Sequence, residues 1–137
     1  MDVVCINRYY CWYNLSGDLE AASYALNMEL DFWEKIGKPV MMTEYGADTI
    51  QGVHNCVPEM FSEEFQVAYY NMHSEAFDKR KFFVGEHVWN FADFATIQGC
   101  MRADGNRKGL FTKDRRPKQS AHYFKKRWGE VANFNYK

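Results

Sequence analysis

The sequence has no apolar stretch long enough to cross a membrane and no basic segment followed by an apolar signal core. It also lacks an excess of charge of either sign, because 17 Lys and Arg oppose 18 Asp and Glu. A balanced chain has no broad electrostatic field that would attract nucleic acid or an anionic membrane surface. We therefore expect neither nucleic acid nor a membrane as a partner.

Cysteine is scarce and poorly placed for binding a metal. The four cysteines include no Cys-x-x-Cys pair, and the four histidines do not stand at metal-finger spacing. Cys5 lies inside an apolar run, which favours a buried free thiol. These observations predict no metal and no other cofactor. They also favour a reducing compartment, so we expect a cytoplasmic location.

Aromatic residues are the abundant class, at 18% of the chain. They build hydrophobic cores, and they also line sugar-binding clefts, where a flat ring suits the apolar face of a pyranose. Composition leaves both interpretations open, with the core as the ordinary one. The 137 residues suffice for one domain, so we treat residues 1–137 as a single unit.

Three apolar segments that do not alternate with polar residues predict strands covered on both faces. They are residues 3–6, residues 40–42, and residues 82–84 continued by 87–89. Helical patterns follow them at residues 18–36, at residues 62–81, and from Pro117 onwards. Asp18 and Ser62 are suited to begin the first two helices, and Gly37 to end the first. In the third helix, Ala121, Phe124 and Trp128 are predicted to be buried.

Strand, loop and helix repeated three times predict βα units of a parallel α/β fold. A closed eight-unit barrel needs roughly 250 residues, so three units form either a small open sheet or part of a barrel. The chain begins directly on an apolar strand segment. We therefore expect that further structure preceded it in the original domain.

Polar and aromatic residues follow each predicted strand, at the end where ligand chemistry collects in parallel α/β folds. They are Asn7, Tyr9 and Tyr10 after the first strand, Thr43 to Gly46 after the second, and Trp89 to Asp93 after the third. A carboxylate, amides, tyrosines and a tryptophan at one rim are typical of a carbohydrate hydrolase. Glu44 is the catalytic candidate, and the alternative is a glutamate that pairs with a neighbouring arginine.

Four segments resemble the β-glucuronidases of glycoside hydrolase family 2. They are residues 7–13 (NRYYCWY), 43–46 (TEYG), 85–94 (GEHVWNFADF) and 105–112 (GNRKGLFT). Their order and spacing match the last three βα units of that family's catalytic barrel, over essentially the whole chain. The resemblance implies an α/β fold consisting of the last three βα units of a TIM (β/α)8 barrel, incomplete in this chain. The residues in these segments resemble those of bacterial enzymes more closely than those of the animal lysosomal enzyme.

The resemblance also implies roles at the strand ends. Glu44 would be the nucleophile of a retaining mechanism, forming a covalent glycosyl-enzyme intermediate. Tyr9 would donate a hydrogen bond that orients Glu44, and Tyr13 would reach toward the C6 end of the sugar. Trp89 would form an aromatic wall, and Asn7 would contribute to substrate binding at the same rim.

The substrate class depends on residues 102–108. In the family, the Asn-x-Lys motif, here Asn106 and Lys108, grips the carboxylate of glucuronic acid, with Arg102 slightly upstream. A uronate differs from a neutral hexose by one anionic group, which charge-assisted contacts discriminate strongly. Taken alone, this segment is typical of a solvated basic loop.

One catalytic group is absent from the sequence. A retaining glycosidase needs a second carboxyl group as acid and base, and the family supplies it from an Asn-Glu pair that occurs nowhere in these 137 residues. Glu86 is a possible substitute, but the family motif holds a glutamate there without using it as the acid. We therefore expect the chain alone to be inactive.

Several alternatives and partners remain open. The chain could be a β-galactosidase or β-mannosidase relative, although Asn106 and Lys108 argue against it, or a sugar-binding or scaffold domain without turnover. The expected partners are a glucuronide substrate and the remainder of a glycosidase chain. A homo-oligomer is also expected, because three βα units leave two sheet edges exposed.

Overall fold

Strands and helices alternate strictly along residues 2–131, the part of the chain that the computed structural model describes. The order is β1 (Val4–Asn7), α1 (Leu19–Ile36), β2 (Val40–Glu44), α2 (Glu63–Asp78), β3 (Phe83–Glu86) and α3 (Gln119–Glu130). The strands form one parallel sheet in the order β1-β2-β3. The predicted βα repeat is confirmed, and the sheet is open at both edges, as three units of a (β/α)8 barrel must be.

Local signals set the ends of the first two helices where the sequence predicted them. The Asp18 carboxylate accepts a hydrogen bond from the N–H of Ala21, and Gly37 ends α1 with a left-handed φ of 70°. The Ser62 hydroxyl accepts from the N–H of Phe65 in the same way at the start of α2. Each cap satisfies a backbone group that the first turn of a helix leaves unpaired.

The third strand is shorter than predicted, because β3 ends at Glu86 and residues 87–89 do not continue it. The N–H groups of His87 and Trp89 still donate to β2 and the residue after it. The next residue, Asn90, instead donates its N–H to the carbonyl of Lys108 at 3.2 Å. The chain therefore leaves the sheet and runs against the segment that contains the Asn-x-Lys motif.

The third helix begins later than predicted. Its N-cap is Lys118, so Pro117 precedes the helix and is not its first residue. Lys118 stays extended because its N–H donates to the carbonyl of Leu110 and its ammonium binds distant groups. Phe124 is buried as predicted, whereas Trp128 is 44% exposed and not buried. The Trp128 ring packs on Phe124, and its other side faces the open edge of the sheet.

The helices cover one face of the sheet and leave the other open. Ile6, Val40 and Met42 point toward the helices and are buried in the core. Cys5 lies on the opposite face of β1 and is exposed, so the expectation of a buried thiol is wrong. Its apolar neighbours suggested burial, but within residues 2–131 no element covers that face.

No helix of residues 2–131 has the length and apolarity needed to cross a membrane.

An aromatic cluster fills the space between β2 and α2. Tyr45 follows β2 directly and packs against four residues of α2, which are Tyr69, Tyr70, His73 and Phe77. All five side chains are at most 2% exposed. The cluster fixes α2 against the end of β2, where the candidate site lies.

Candidate active site

The predicted rim residues meet at the carboxyl ends of the parallel strands. Glu44 is the last residue of β2, Asn7 is the last residue of β1, and Trp89 follows the end of β3. The amide oxygen of Asn7 accepts a hydrogen bond from Thr43 Oγ1 at 2.6 Å. The N–H of Arg8 donates to the carbonyl of Glu44 at 2.9 Å. These bonds fix the ends of β1 and β2 side by side.

Tyr9 contacts the candidate nucleophile directly. Its hydroxyl donates to Glu44 Oε2 at 2.9 Å. Burial, and next the hydrogen bond to Glu44, raise the pKa of the Tyr9 phenol well above its ordinary value. Tyr9 therefore remains a protonated donor at neutral pH. The ring of Tyr13 lies 5.1 Å from the ring of Tyr9, so both tyrosines line the same part of the rim.

Gly46 brings the loops after β2 and β3 into contact. A Cβ atom at position 46 would lie 2.0 Å from the carbonyl oxygen of Trp89, so only glycine allows this approach. The N–H of Trp89 donates to the carbonyl of Tyr45 at 2.8 Å, and the Tyr69 hydroxyl oxygen accepts from the N–H of Gly46 at 3.0 Å. Trp89 is thereby held beside the end of β2.

The Asn-x-Lys motif lies within a tightly held segment. The backbone of Asn106 exchanges two hydrogen bonds with Phe94, and its side-chain oxygen accepts from the N–H of Lys108 at 3.1 Å. Lys108 is fully buried. Its ammonium nitrogen lies 4.9 Å from the ring centroid of Trp12 and 4.8 Å from that of Tyr13. These distances are typical of cation–π contacts.

Arg102, Asn106 and Lys108, together with Tyr13, are called the basic cluster below. Arg102 and Tyr13 form its accessible part. Arg102 Nη1 donates to the Tyr13 hydroxyl at 2.8 Å, and both side chains are partly exposed. This hydrogen bond raises the pKa of Arg102 further, so its guanidinium stays charged. Asn106 and Lys108 lie deeper, since neither is more than 2% exposed.

Asp48, which no sequence pattern singled out, is 1% exposed and pairs with the ammonium of Lys108. Asp48 Oδ1 also accepts from the N–H of Arg107 at 2.6 Å. The feature of the sequence that could have indicated Asp48 is its carboxylate, four residues after Glu44 in the loop that follows a strand. An aspartate there has an ordinary interpretation as a solvated loop residue, and only the fold brings Lys108 to it.

A second buried ion pair, Lys118 with Asp93, holds the base of the cluster. Lys118 Nζ donates to Asp93 Oδ1 at 2.9 Å, to the carbonyl of Thr49 at 2.8 Å and to that of Arg107 at 2.9 Å. All three donors of the ammonium are thus used. Burial lowers the pKa of Lys118, and the contact with Asp93 opposes that effect. The pair ties α3 to the loops after β2 and β3.

Glu86 is engaged away from the rim. Its carboxylate accepts from the Tyr45 hydroxyl, from Arg127 Nε and from Trp128 Nε1, each at 2.9 Å. These three donors occupy it on the side of the sheet that faces α3. Such a carboxylate is unsuited to act as an acid opposite Glu44. Within residues 2–131, no group of three or more His, Cys, Asp or Glu is placed to hold a metal ion.

Comparison with known proteins gives consistent matches over the chain. A family model described as glycosyl hydrolases family 2, TIM barrel domain, matches residues 1–133. The β-glucuronidase of Paenibacillus borealis is 49% identical over 134 residues, which cover 97% of this chain and 22% of that protein. The β-glucuronidase of Mus musculus is 47% identical, with coverage of 97% and 21%.

Solved structures of β-glucuronidases are also similar to this chain over its whole length or nearly so. The structure of Bifidobacterium dentium β-glucuronidase complexed with coumarin-3-O-glucuronide is 64% identical with a TM-score of 0.95, over 100% of this chain and 22% of that one. Faecalibacterium prausnitzii β-glucuronidase is 63% identical with a TM-score of 0.95, over 99% and 23%. These two bacterial proteins are more similar to the chain than the mouse protein is, in agreement with the sequence resemblance. The chain spans less than a quarter of the length of each of these proteins.

Proposed function

Since this chain belongs to the TIM barrel domain family of the family 2 glycosyl hydrolases, we propose that it carries the nucleophile and the uronate-binding segment of a retaining β-glucuronidase. Glu44 is the proposed nucleophile. The proposed substrate-binding residues are Asn7, Tyr9, Tyr13, Trp89, Arg102, Asn106 and Lys108. Their roles rest on chemistry and on their placement around one rim.

One set of contacts carries the proposal. Tyr9 donates to Glu44 at 2.9 Å, and the Lys108 ammonium lies 5.9 Å from the centroid of the Tyr9 ring. A single tyrosine thus links the candidate nucleophile to the basic cluster. A pyranose whose anomeric carbon meets Glu44 would extend its C6 group across roughly one ring width. The Tyr9 ring, which contacts both, lies between the carboxylate and the cluster.

The chemistry proceeds in two steps in this proposal. Glu44 attacks the anomeric carbon through an oxocarbenium-like transition state, the bond to the leaving oxygen breaks, and water later hydrolyses the glycosyl-enzyme ester. Tyr9 keeps the attacking oxygen oriented, and Trp89 gives the glycone an aromatic wall. The leaving oxygen needs a proton from a second carboxyl group about 5–5.5 Å from the nucleophile. Because Glu86 is engaged elsewhere, that acid comes from outside these 137 residues.

The basic cluster favours a glucuronide over a neutral glycoside. Arg102 and Lys108 place two cations near Tyr13, with Asp48 as their close anion. A net positive site favours the carboxylate of a uronate and offers no comparable partner to a hydroxymethyl group. The solved structure of Bifidobacterium dentium β-glucuronidase is a complex with coumarin-3-O-glucuronide, which supports this substrate class.

The remaining partners follow from the open sheet. β1 and β3 both present unpaired edges, and the face that carries Cys5 is uncovered within residues 2–131. We propose that further βα units of a glycosidase chain complete the sheet and that the completed enzyme self-associates. A cytoplasmic location is likewise proposed, on the four free thiols.

A chimaeric enzyme tests the proposed function. The 137 residues would replace the matching segment of Bifidobacterium dentium β-glucuronidase, to which they are 64% identical. We expect hydrolysis of 4-methylumbelliferyl β-D-glucuronide that falls at least a thousandfold in Glu44→Gln, on the order of losses from removing a catalytic group. Glu75→Gln, at an exposed position on α2, is the matched control and should retain activity. A folded chimaera that binds glucuronate without Glu44-dependent turnover would instead favour a sugar-binding role.

A further inference from the structure

Asp48 is the centre of the contacts that hold the basic cluster. Its carboxylate pairs with the ammonium of Lys108, accepts from the N–H of Arg107 at 2.6 Å, and lies 4.0 Å from Arg102 Nη1. Three residues of the segment 102–108 thus contact one carboxylate. No other carboxylate in residues 2–131 pairs with Lys108.

Burial makes this counter-ion necessary. Lys108 is 0% exposed and Asp48 is 1% exposed, so water cannot solvate either charge. The rings of Trp12 and Tyr13 supply only partial compensation to the ammonium. A buried charge that loses its partner is strongly disfavoured, so the ammonium would no longer be held in its present place.

We propose that Asp48 is a positioning residue that determines the preference for a uronate, by fixing the direction of the Lys108 ammonium through their ion pair. This inference rests on the proposed function of the same site. Asp48 accepts from one of the three donors of the ammonium, whose nitrogen lies 4.8 Å from the centroid of the Tyr13 ring. It acts through Lys108 and does not touch the reacting atoms.

The backbone contact adds to this role. Arg107 is held at its N–H by Asp48, and its carbonyl accepts from the N–H of Thr49 at 3.0 Å and from Lys118 Nζ at 2.9 Å. The peptide units before and after Arg107 therefore cannot rotate independently of the loop after β2. That loop begins directly after Glu44, so the proposed uronate-binding segment and the proposed nucleophile share one support.

Asp48→Asn in the chimaeric enzyme isolates the ion pair. The amide keeps an oxygen for the N–H of Arg107 but removes the charge that faces Lys108. We expect the ratio of kcat/KM for the glucuronide to that for the matching glucoside to fall roughly tenfold, the size typical of a disturbed charge pair. Asp93→Asn is the matched control, because it breaks the other buried Asp–Lys pair. It should lower both activities together and leave the ratio unchanged.

A double-mutant cycle with Lys108→Met shows whether Asp48 acts through the lysine. In the Lys108→Met background, the further change Asp48→Asn should alter the selectivity ratio less than twofold. That comparison also serves if Asp48→Asn alone fails to fold, because the double variant contains no unpaired buried charge. A ratio that is unchanged or raised in Asp48→Asn, or that falls again in the double variant, would overturn the proposal. Loss of glucuronide activity in the unmutated chimaera would instead overturn the proposed function itself.

Discussion

Tyr9 and Glu44 form a donor–acceptor pair whose direction is fixed by the protonation of the phenol. Burial raises the pKa of Tyr9, and the neighbouring carboxylate raises it further. A phenol in this environment donates at all pH values near neutrality and does not compete as an anion. The hydrogen bond thus orients Glu44 without adding a second negative charge beside it.

We expect Tyr9→Phe in the chimaeric enzyme to lower kcat for glucuronides roughly tenfold to a hundredfold. A hydrogen bond to a charged group contributes about 1.5–3 kcal/mol, and this one is directed at the attacking carboxylate. Tyr10→Phe is the control, since the Tyr10 hydroxyl donates to Glu29 and not to Glu44. Steady-state kinetics of both variants check the prediction, and equal kcat values for Tyr9→Phe and the parent would contradict it.

Lys108→Met is expected to reduce turnover of glucuronides at least tenfold more than turnover of glucosides. The methionine preserves the apolar stem against Trp12 and Tyr13 but removes the cation. A charge-assisted hydrogen bond of about 1.5–3 kcal/mol would be lost for the uronate only. The ratio of kcat/KM on the two substrates measures the effect. Equal losses on both would assign the lysine a purely structural role.

The end of β2 is the element on which the site depends most. Gly46 lies two residues beyond Glu44, the proposed nucleophile, and its missing side chain lets the Trp89 carbonyl approach. Tyr45 is held in the aromatic cluster by α2 on one side of the same turn. Packing of α2 and contact with the loop after β3 therefore fix the direction in which Glu44 leaves the strand.

Gly46→Ala should destabilise the chain and reduce activity of the chimaera by more than tenfold. The added methyl group would lie 2.0 Å from the Trp89 carbonyl oxygen, so the backbone of one loop must move. Gly129→Ala in α3 is the matched control, because a Cβ there meets nothing within 4 Å. Alanine favours helix by up to about 1 kcal/mol, so this variant should be neutral or more stable. Thermal midpoints and kcat of both variants test the contrast.

Helix α2 also carries a buried histidine whose titration affects stability. Burial lowers the pKa of His73 to about 4, below its ordinary value of 6.5. Between these two pH values the unfolded chain binds a proton that the folded chain does not. Stability therefore falls as the pH falls from about 6.5 toward 4, and this contribution stays constant below 4.

His73→Phe should remove this dependence. From the two pKa values, the parent chain is expected to lose about 2 kcal/mol of unfolding free energy between pH 7 and pH 5, and the variant much less. Phenylalanine suits the surrounding rings of Tyr45, Tyr69 and Phe77. Urea unfolding at the two pH values measures the difference. His122→Phe, at an exposed position of α3, should keep the slope of the parent.

The whole molecule presents an open sheet, and this limits what the chain can do by itself. The proposed nucleophile, Glu44, stands at a rim that no further strands enclose within residues 2–131, and the sequence contains no Asn-Glu pair to supply the expected acid. General acid catalysis typically contributes 10²–10⁴-fold, and enclosure positions the sugar and excludes water. Both contributions require additional βα units.

We therefore expect the 137-residue chain alone to show no measurable hydrolysis of 4-methylumbelliferyl β-D-glucuronide. Mixing it with a separately produced segment of the Bifidobacterium dentium enzyme that carries the earlier barrel units should restore some activity. The same mixture made with Glu44→Gln should be inactive. Robust Glu44-dependent turnover by the chain alone would contradict this prediction and would require a second acid within the chain or in a second copy of it.

The sequence by itself determined the βα repeat, the caps at Asp18 and Ser62 and the position of Glu44 at a strand end. These features depend on apolar spacing and on side chains within three residues of their partners, which a sequence displays directly. The family followed from several motifs in order, although the roles of the individual site residues remain predictions.

Tertiary structure alone decided which charges meet and which faces are covered. Asp48 and Lys108 lie 60 residues apart, and Lys118 reaches Asp93 across 25 residues. No local pattern shows such pairs, because they arise only when loops from successive βα units pack together. The same holds for Glu86, which α3 engages, and for Cys5, whose face the helices do not reach. The burial of a strand residue depends on what covers the sheet, and that is a property of the assembled fold.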